Sequence, residues 1–307
     1  MSRSLARSDL AVIHGYATTE SILAIIVCIL TGVPYLLRSD TSVVKNRSRL
    51  DVRGWWIRIA SRRAAGALSS GTRNARVHRE MGVGKIFAAP FTVDISRFAN
   101  ATEQTTAEER IALKSSVNIP TDRPIAVFSG KLTEGKRPLD FADAILLTKS
   151  GVHGVFIGDG AEMDALKNHP AHARMTILGF RNQQELPSLL SCGDILVLPS
   201  SYEAWGLAVN EGLACGLVPV VSDSVGCAPD LVAGVGVVFP TGDVPALADA
   251  LDAASEISEG DGFRVARQAF MESYSVSASA QAYDSTIRAI LWSKGSRGGH
   301  GSSGPKE

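Results

Sequence analysis

The chain has 307 residues, 45% of them hydrophobic and 20% charged, which is apolar mass for one large or two ordinary domains and excludes disordered and fibrous classes. Lys plus Arg equals Asp plus Glu at 31 each, so there is no global basic excess to recruit nucleic acid. The balance is uneven: 14 basic and 5 acidic residues lie at or before Lys85, and 17 and 26 lie beyond it, so the first part suits an anionic surface and the second does not.

The opening residues lack an apolar core followed by a small-residue cleavage site, so no secretory signal is read and the expected compartment is the cytoplasm. A strand is expected over 10–14, a helix through 22–30, a turn at Gly32-Val33-Pro34 and a strand over 35–38, together one βαβ unit. The apolar run 22–30 is nine residues long, short of the roughly 20 a spanning helix needs. Next comes an Arg-rich helix over 52–67. Its alternation of Arg53, Trp55, Trp56, Arg58, Arg62 and Arg63 fits two structures: an interfacial helix in peripheral contact with the inner face of a membrane, or a core helix with an Arg-rich outer face. Short strands near Ala67 and Ile86 follow, and the polar stretch 99–123 reads as a linker.

From Ile125 onward, apolar runs alternate with helical segments, the pattern of a parallel sheet wrapped by helices. Strands are expected over 125–129, 154–157, 175–178, 195–198, 218–222 and 235–239, with helices over 139–148, 184–192 and 207–215. Helices over 245–255, 263–273 and 277–292 and a Gly/Ser-rich tail complete the chain. The division expected is a partial first domain with linker over 1–117, a second domain over 118–292 and a disordered tail over 293–307.

The most informative segment is 199–219. A strand ending at Leu198, a loop bearing Glu203 and a helix starting near Gly206 or Leu207 put free N–H groups at the carboxyl edge of the sheet, a place for phosphate. Glu203 and Glu211, the latter one turn into the helix, can face one crevice and suit the hydroxyls of a sugar or ribose. An isolated glutamate pair more often serves a helix dipole and a solvated face. Here Gly206, Gly212, Ala214, Cys215 and Gly216 surround the second, and small residues let backbone approach backbone or ligand.

Gly130 closes the strand over 125–129, and Lys131 and Lys136 follow it, placed to straddle a diphosphate and offset charge on a leaving nucleotide. Gly130 to Lys136 also fits the spacing of a phosphate-binding G-x4-G-K loop, but Arg137 stands where that loop needs a Ser or Thr for Mg²⁺. Gly158-Asp159-Gly160 lacks the third glycine of a dinucleotide fingerprint and reads as a tight strand exit. No Asp-x-Asp occurs, and His169 and His172 have no ligand-spaced partners, so no essential metal and no cofactor are expected. Cys28, Cys192, Cys215 and Cys227 form no CxxC pair and read as reduced and structural.

Glu203 and Glu211 after Leu198-Pro199-Ser200, the run 127–132 followed by Lys136, Phe156-Ile157-Gly158-Asp159-Gly160 and Leu178-Gly179-Phe180 closely resemble the retaining, nucleotide-sugar-dependent glycosyltransferases of family 4. The resemblance spans roughly 10–292. It implies an α/β fold of GT-B type, two Rossmann-like domains facing a cleft, with the N-terminal one incomplete: the Gly-rich loop and the β/α units that precede the His14 strand in the family are not found. It further implies that Glu203 contacts the donor sugar, that the Leu207 and Ala208 amides meet the donor near its phosphates, and that Glu211 holds the ribose hydroxyls. His14 matches a cleft histidine that meets the donor sugar, and Asp94 matches a structural position. Lys131 stands where the family has arginine; lysine supplies the charge but not arginine's bidentate fork.

The catalytic set implied is therefore Glu203, His14 and Lys136, and the donor-binding set Gly130, Lys131, Lys136, Glu203, Gly206, Leu207, Ala208 and Glu211. The expected function is transfer of a hexose from a nucleoside diphosphate sugar to a glycan or lipid-linked acceptor in polysaccharide biosynthesis, with retention. The alternative is a donor-binding or regulatory subunit without turnover.

Overall fold

The computed structural model describes residues 2–16, 18–41, 52–257 and 261–298. They form two compact units. The first holds the described residues up to Pro90 together with the last helix from Ser277; the second is Phe91–Val276.

In the first unit, α1 (Ser2–Leu5) precedes β1 (Ala11–His14), α2 (Thr19–Thr31), β2 (Tyr35–Arg38), α3 (Val52–Arg63), β3 (Gly66–Ser69), α4 (Thr72–Glu80) and β4 (Ile86–Ala88). The strands lie in chain order, β1-β2-β3-β4, all parallel. Thr18 caps α2: its hydroxyl accepts from Ser21 N at 3.2 Å while its own N–H donates to Ser21 Oγ at 3.0 Å. Alternate side chains of a strand face opposite sides of a sheet, and β2 shows both sides covered. Tyr35 and Leu37 pack with Ile25 and Cys28 of α2 and Ile57 and Ala60 of α3, whereas Leu36 joins Leu68 and Ile290. The helix expected over 52–67 stops at Arg63 because Ala65 N already donates to Tyr35 O at 2.9 Å, on the way into β3. Ile57, Ala60 and Ser61 of α3 are buried and Arg53, Trp55, Arg58, Arg62 and Arg63 are exposed.

The second unit opens with α5 (Ile95–Glu103) and α6 (Ala107–Ser116). It continues as β5 (Ile125–Ser129), α7 (Pro138–Leu147), β6 (His153–Ile157), α8 (Met163–Lys167), β7 (Met175–Gly179), α9 (Leu186–Leu190), β8 (Ile195–Leu198) and α10 (Leu207–Cys215). Next come β9 (Val218–Ser222), β10 (Val237–Phe239), α11 (Val244–Ile257) and α12 (Asp261–Ser273). Its sheet has six parallel strands in the order β10-β9-β8-β5-β6-β7. The central strands β5 and β8 are almost wholly buried, as their continuous apolar runs require when both faces are covered.

Two expectations are corrected. The stretch 99–123 is not a linker: Asp94 caps α5 by accepting from Arg97 N at 3.2 Å, Ile95 and Phe98 enter the second core, and Thr102 Oγ1 donates to Cys215 O at 3.1 Å. The division therefore falls at Pro90/Phe91 rather than 117/118. The last helix, α13 (Val276–Gly298), belongs to the first unit from Ser277 because Ile290 and Tyr283 cover Leu36 and Leu68. Helical backbone thus runs through 293–298 of the expected tail, and 299–307 lie outside the described residues.

Candidate functional site

The carboxyl ends of β5, β6 and β8 meet in the second unit. Gly130 N donates to Ile157 O at 3.0 Å and Leu132 N to Asp159 O at 2.9 Å, binding the loop after β5 to the exit of β6. Gly158 has φ +148°, and a Cβ there would lie 1.8 Å from Gly130 O; one on Gly160 would lie 2.3 Å from Leu132 O. The turn Gly158-Asp159-Gly160 is thus a backbone-to-backbone seam that a side chain would break. It leaves the adjoining Lys131 side chain exposed while burying Leu132.

Past this seam the β5 loop turns through a 3₁₀ segment, Glu134–Lys136, and is tied to the loop after β8. Ser201 donates to Gly135 O from its N at 2.9 Å and from its hydroxyl at 3.1 Å. The same approach brings Lys136 Nζ onto Glu203 Oε2 as an ion pair. Both side chains remain partly accessible, 28% and 21%, so a ligand can reach either member. A G-x4-G-K phosphate loop would present this lysine to the ligand; here Arg137 follows it in a left-handed turn, φ +53°, and Arg137 Nε donates to Asp140 Oδ2 at 2.7 Å.

Glu203 itself is held by backbone. It forms a parallel bridge to Val225, and its carbonyl accepts from Gly226 N at 2.9 Å; a Cβ on Gly226 would lie 1.9 Å from Ala204 O. Trp205 O accepts from Cys227 N at 2.9 Å. Gly206, φ +105°, then reverses the chain as the N-cap of α10 and offers no side-chain cap. The first N–H groups of the helix, those of Leu207 and Ala208, therefore start the helix without a side-chain acceptor, and the positive end of its dipole points to the carboxyl edge of the sheet. Leu207 is exposed and Ala208 half-buried.

Glu211 lies one turn further on, half-buried between the buried Asn210 and Gly212. Burial pushes its carboxyl up to about 7, against the opposing pull of the Arg97 guanidinium. A carboxyl poised there changes charge near neutral pH.

Of the residues singled out in the sequence, Gly130, Lys131, Lys136, Glu203, Gly206, Leu207, Ala208 and Glu211 are all carried by the β5 loop, the β8 loop and α10 of this unit. His14 is not among them: it is the exposed last residue of β1, in the first unit. Two neighbours escaped sequence reasoning. Trp205 is 4% exposed and its Nε1 donates to Asn210 Oδ1 at 2.9 Å; Asn210 is fully buried. The signal was present, since a tryptophan in a buried loop needs an acceptor and Asn210 is five residues away. His169 accepts from Ala171 N at 3.2 Å and pairs with Asp143 at 3.1 Å, and all four cysteines are buried. Among the described residues no three His, Cys, Asp or Glu side chains gather as a metal site.

Structural neighbours give this architecture a name. The chain superposes on Anabaena HepE in complex with UDP with a TM-score of 0.77 over 94% of this chain and 80% of that one, at 16% identity. An alpha,alpha-trehalose 6-phosphate synthase from Burkholderia multivorans gives 0.74 over 100% and 76%, at 14% identity. The fold is that of the GT-B glycosyltransferases.

Within this GT-B fold, residues 109–261 match the family model of the glycosyl transferases group 1, and every site residue named above in the second unit lies inside that match. The chain is 27% identical over 242 residues to an Escherichia coli UDP-Gal:alpha-D-GlcNAc-diphosphoundecaprenol alpha-1,3-galactosyltransferase, covering 71% of this chain and 59% of that protein. It is 31% identical over 144 residues to a Streptomyces fradiae 2-deoxystreptamine N-acetyl-D-glucosaminyltransferase, covering 43% and 34%. The chain thus spans between a third and three fifths of these curated relatives.

Proposed function

We propose that the chain is a glycosyltransferase that moves a hexose from a nucleoside diphosphate sugar to a glycan or lipid-linked acceptor with retention of configuration. The observation that carries this reading is the Lys136–Glu203 ion pair set beside the uncapped start of α10. A diphosphate laid on that helix end would draw the Lys136 ammonium from Glu203 to itself, with Lys131 as second cation. Charge developing on the leaving nucleotide is then met by two lysines and a helix end, with no metal required. Glu203, released, accepts hydrogen bonds from sugar hydroxyls, and Glu211 accepts from the ribose. As the glycosidic bond lengthens, oxocarbenium-like charge on the sugar is stabilised by the Glu203 carboxylate. His14 is assigned to the donor sugar by resemblance alone.

The relatives support the donor and acceptor classes: one uses UDP-galactose and a diphosphoundecaprenol-linked sugar, and a structural neighbour holds UDP. Titration calorimetry with UDP, GDP, ADP and dTDP tests the donor site. At least one should bind, Lys136→Ala should weaken it by about 1.5 to 3 kcal/mol, and EDTA should leave both binding and transfer intact. Abolition by EDTA would require a metal-bridged diphosphate instead.

The exposed face of α3 supports peripheral contact with an anionic bilayer at the cytoplasmic side: Val52 is 78% and Trp55 62% exposed, flanked by Arg53, Arg58, Arg62 and Arg63. Among the described residues no helix is long and apolar enough to cross a membrane. Co-sedimentation should be seen with phosphatidylglycerol vesicles but not with phosphatidylcholine vesicles, and should drop in Trp55→Ala.

A further inference from the structure

The chain passes from one unit to the other twice, at Pro90/Phe91 and at Val276/Ser277. On the second unit's side, both passages end on the same side chain. The Phe91 ring stands edge-on to Trp205, centroids 6.2 Å apart at 63°, and the Tyr274 ring lies 6.2 Å from Trp205 at 30°. Asn210, which accepts the indole N–H, also donates from Nδ2 to Phe91 O at 3.4 Å. The two passages are joined to each other, since the Thr92 hydroxyl donates to Tyr274 O, and Tyr274 stacks on Phe270 of α12 with centroids 5.4 Å apart.

Trp205 stands between Glu203 and Gly206, so its backbone position sets where the sugar-facing carboxylate ends and where α10 begins. Its carbonyl is fixed by Cys227 N and its ring by Asn210, and Asn210 stands immediately before Glu211 on the same helix. A shift of the loop or of the helix start on ligand binding must therefore be passed to Trp205 and from it to Phe91 and Tyr274. A buried hydrogen-bonded indole moves as a unit with its acceptor, because separation leaves two polar groups unpaired out of water.

We propose that Trp205 and Asn210 are positioning residues that couple occupation of the donor site to both chain passages. The proposal rests on the donor reading given above. It assigns to these two side chains a role in transmitting binding, while contact with the donor is left to Glu203, Glu211 and the helix end.

The test is amide hydrogen exchange of the full chain with and without UDP, GDP, ADP or dTDP, whichever binds, on the wild type, Trp205→Phe and Asn210→Leu. Trp205→Phe keeps an aromatic ring and Asn210→Leu a side chain branched at the same atom, and each deletes the hydrogen bond. If Asn210→Leu does not fold, Trp205→Phe carries the test. In the wild type, nucleotide should slow exchange at 91–93 and 272–276 as well as at 203–209. In the variants the slowing at 203–209 should persist, the slowing at the passages should be lost, and nucleotide affinity should fall about five- to tenfold. Slowing at the passages that survives in the variants, or its absence in a wild type that binds nucleotide, overturns the coupling and leaves the donor reading standing. A wild type that binds none of the four nucleotides overturns the donor reading and this inference with it.

Discussion

In the first unit the chain lays down β1, β2, β3 and β4 side by side, each crossover stepping the same way. In the second it starts in the middle at β5, steps outward to β6 and β7, then returns to the other side of β5 for β8 and moves outward again to β9 and β10. The loops after β5 and β8 therefore leave adjacent strands in opposite directions, and a gap opens between them at the carboxyl edge. Lys131 and Lys136 stand on one side of that gap, Glu203 and Gly206 on the other. The two sheets of the same class thus differ in strand order: among the described residues the first sheet has no such reversal, and its one singled-out side chain, His14, lies at the end of an edge strand.

If the fixed β5 loop that walls the gap is what distinguishes the units, breaking the seam that ties this loop to the exit of β6 should have the largest effect. Gly158→Ala drives a methyl into Gly130 O and should cost about 4 kcal/mol or more, read by urea unfolding. Gly84→Ala in the first unit meets nothing within 4 Å and should stay within about 0.5 kcal/mol. Equal losses at the two positions would erase the contrast.

The next effect concerns chemistry in the gap. Glu203→Gln keeps the shape of the loop and leaves Lys136 without its anion, so nucleoside diphosphate affinity should hold or rise while sugar transfer falls by about 10²- to 10³-fold. A parallel loss of nucleotide affinity in calorimetry would show that Glu203 organises the phosphate site and has no separate task at the sugar.

The smallest effect is titration. Glu211 is held at about 7 against an ordinary 4.5, so its folded-state carboxyl binds a proton that the unfolded chain has released. Its contribution to stability is fully present below pH 4.5 and is lost as pH rises through 7. A ribose that donates hydroxyls to the carboxylate favours the ionised form. Nucleotide affinity should thus gain about 1 kcal/mol between about pH 6 and about pH 8, and Glu211→Gln should flatten both the stability and the affinity profiles, leaving only the titration of the phosphate itself.

Much of this was legible in the residues. The six strands of the second sheet announce themselves as buried apolar runs, and the stretch from Leu198 to Cys215 has its strand, loop and helix where spacing puts them. Strand order was not legible locally, because it depends on which runs pair across long distances, as Ala126 of β5 does with Ile195 of β8. The helices in 99–123 were hidden by composition: α6 has no buried residue at all, and α5 buries only Ile95, Phe98 and Ala99. The Lys136–Glu203 pair needs both loops folded before it exists. Trp205 was overlooked for a different reason, since its acceptor lies within one helical turn of the loop and only burial makes the bond obligatory.

The placement of α13 sets an order on biosynthesis. Residues 91–276 form their core from one continuous stretch of chain, whereas the first sheet shows one face, Leu36 and Leu68 among it, to solvent until Ile290 has left the ribosome. The first sheet, although translated before the second unit, therefore finishes folding after it, and the second unit can be complete while the first still waits for its cover.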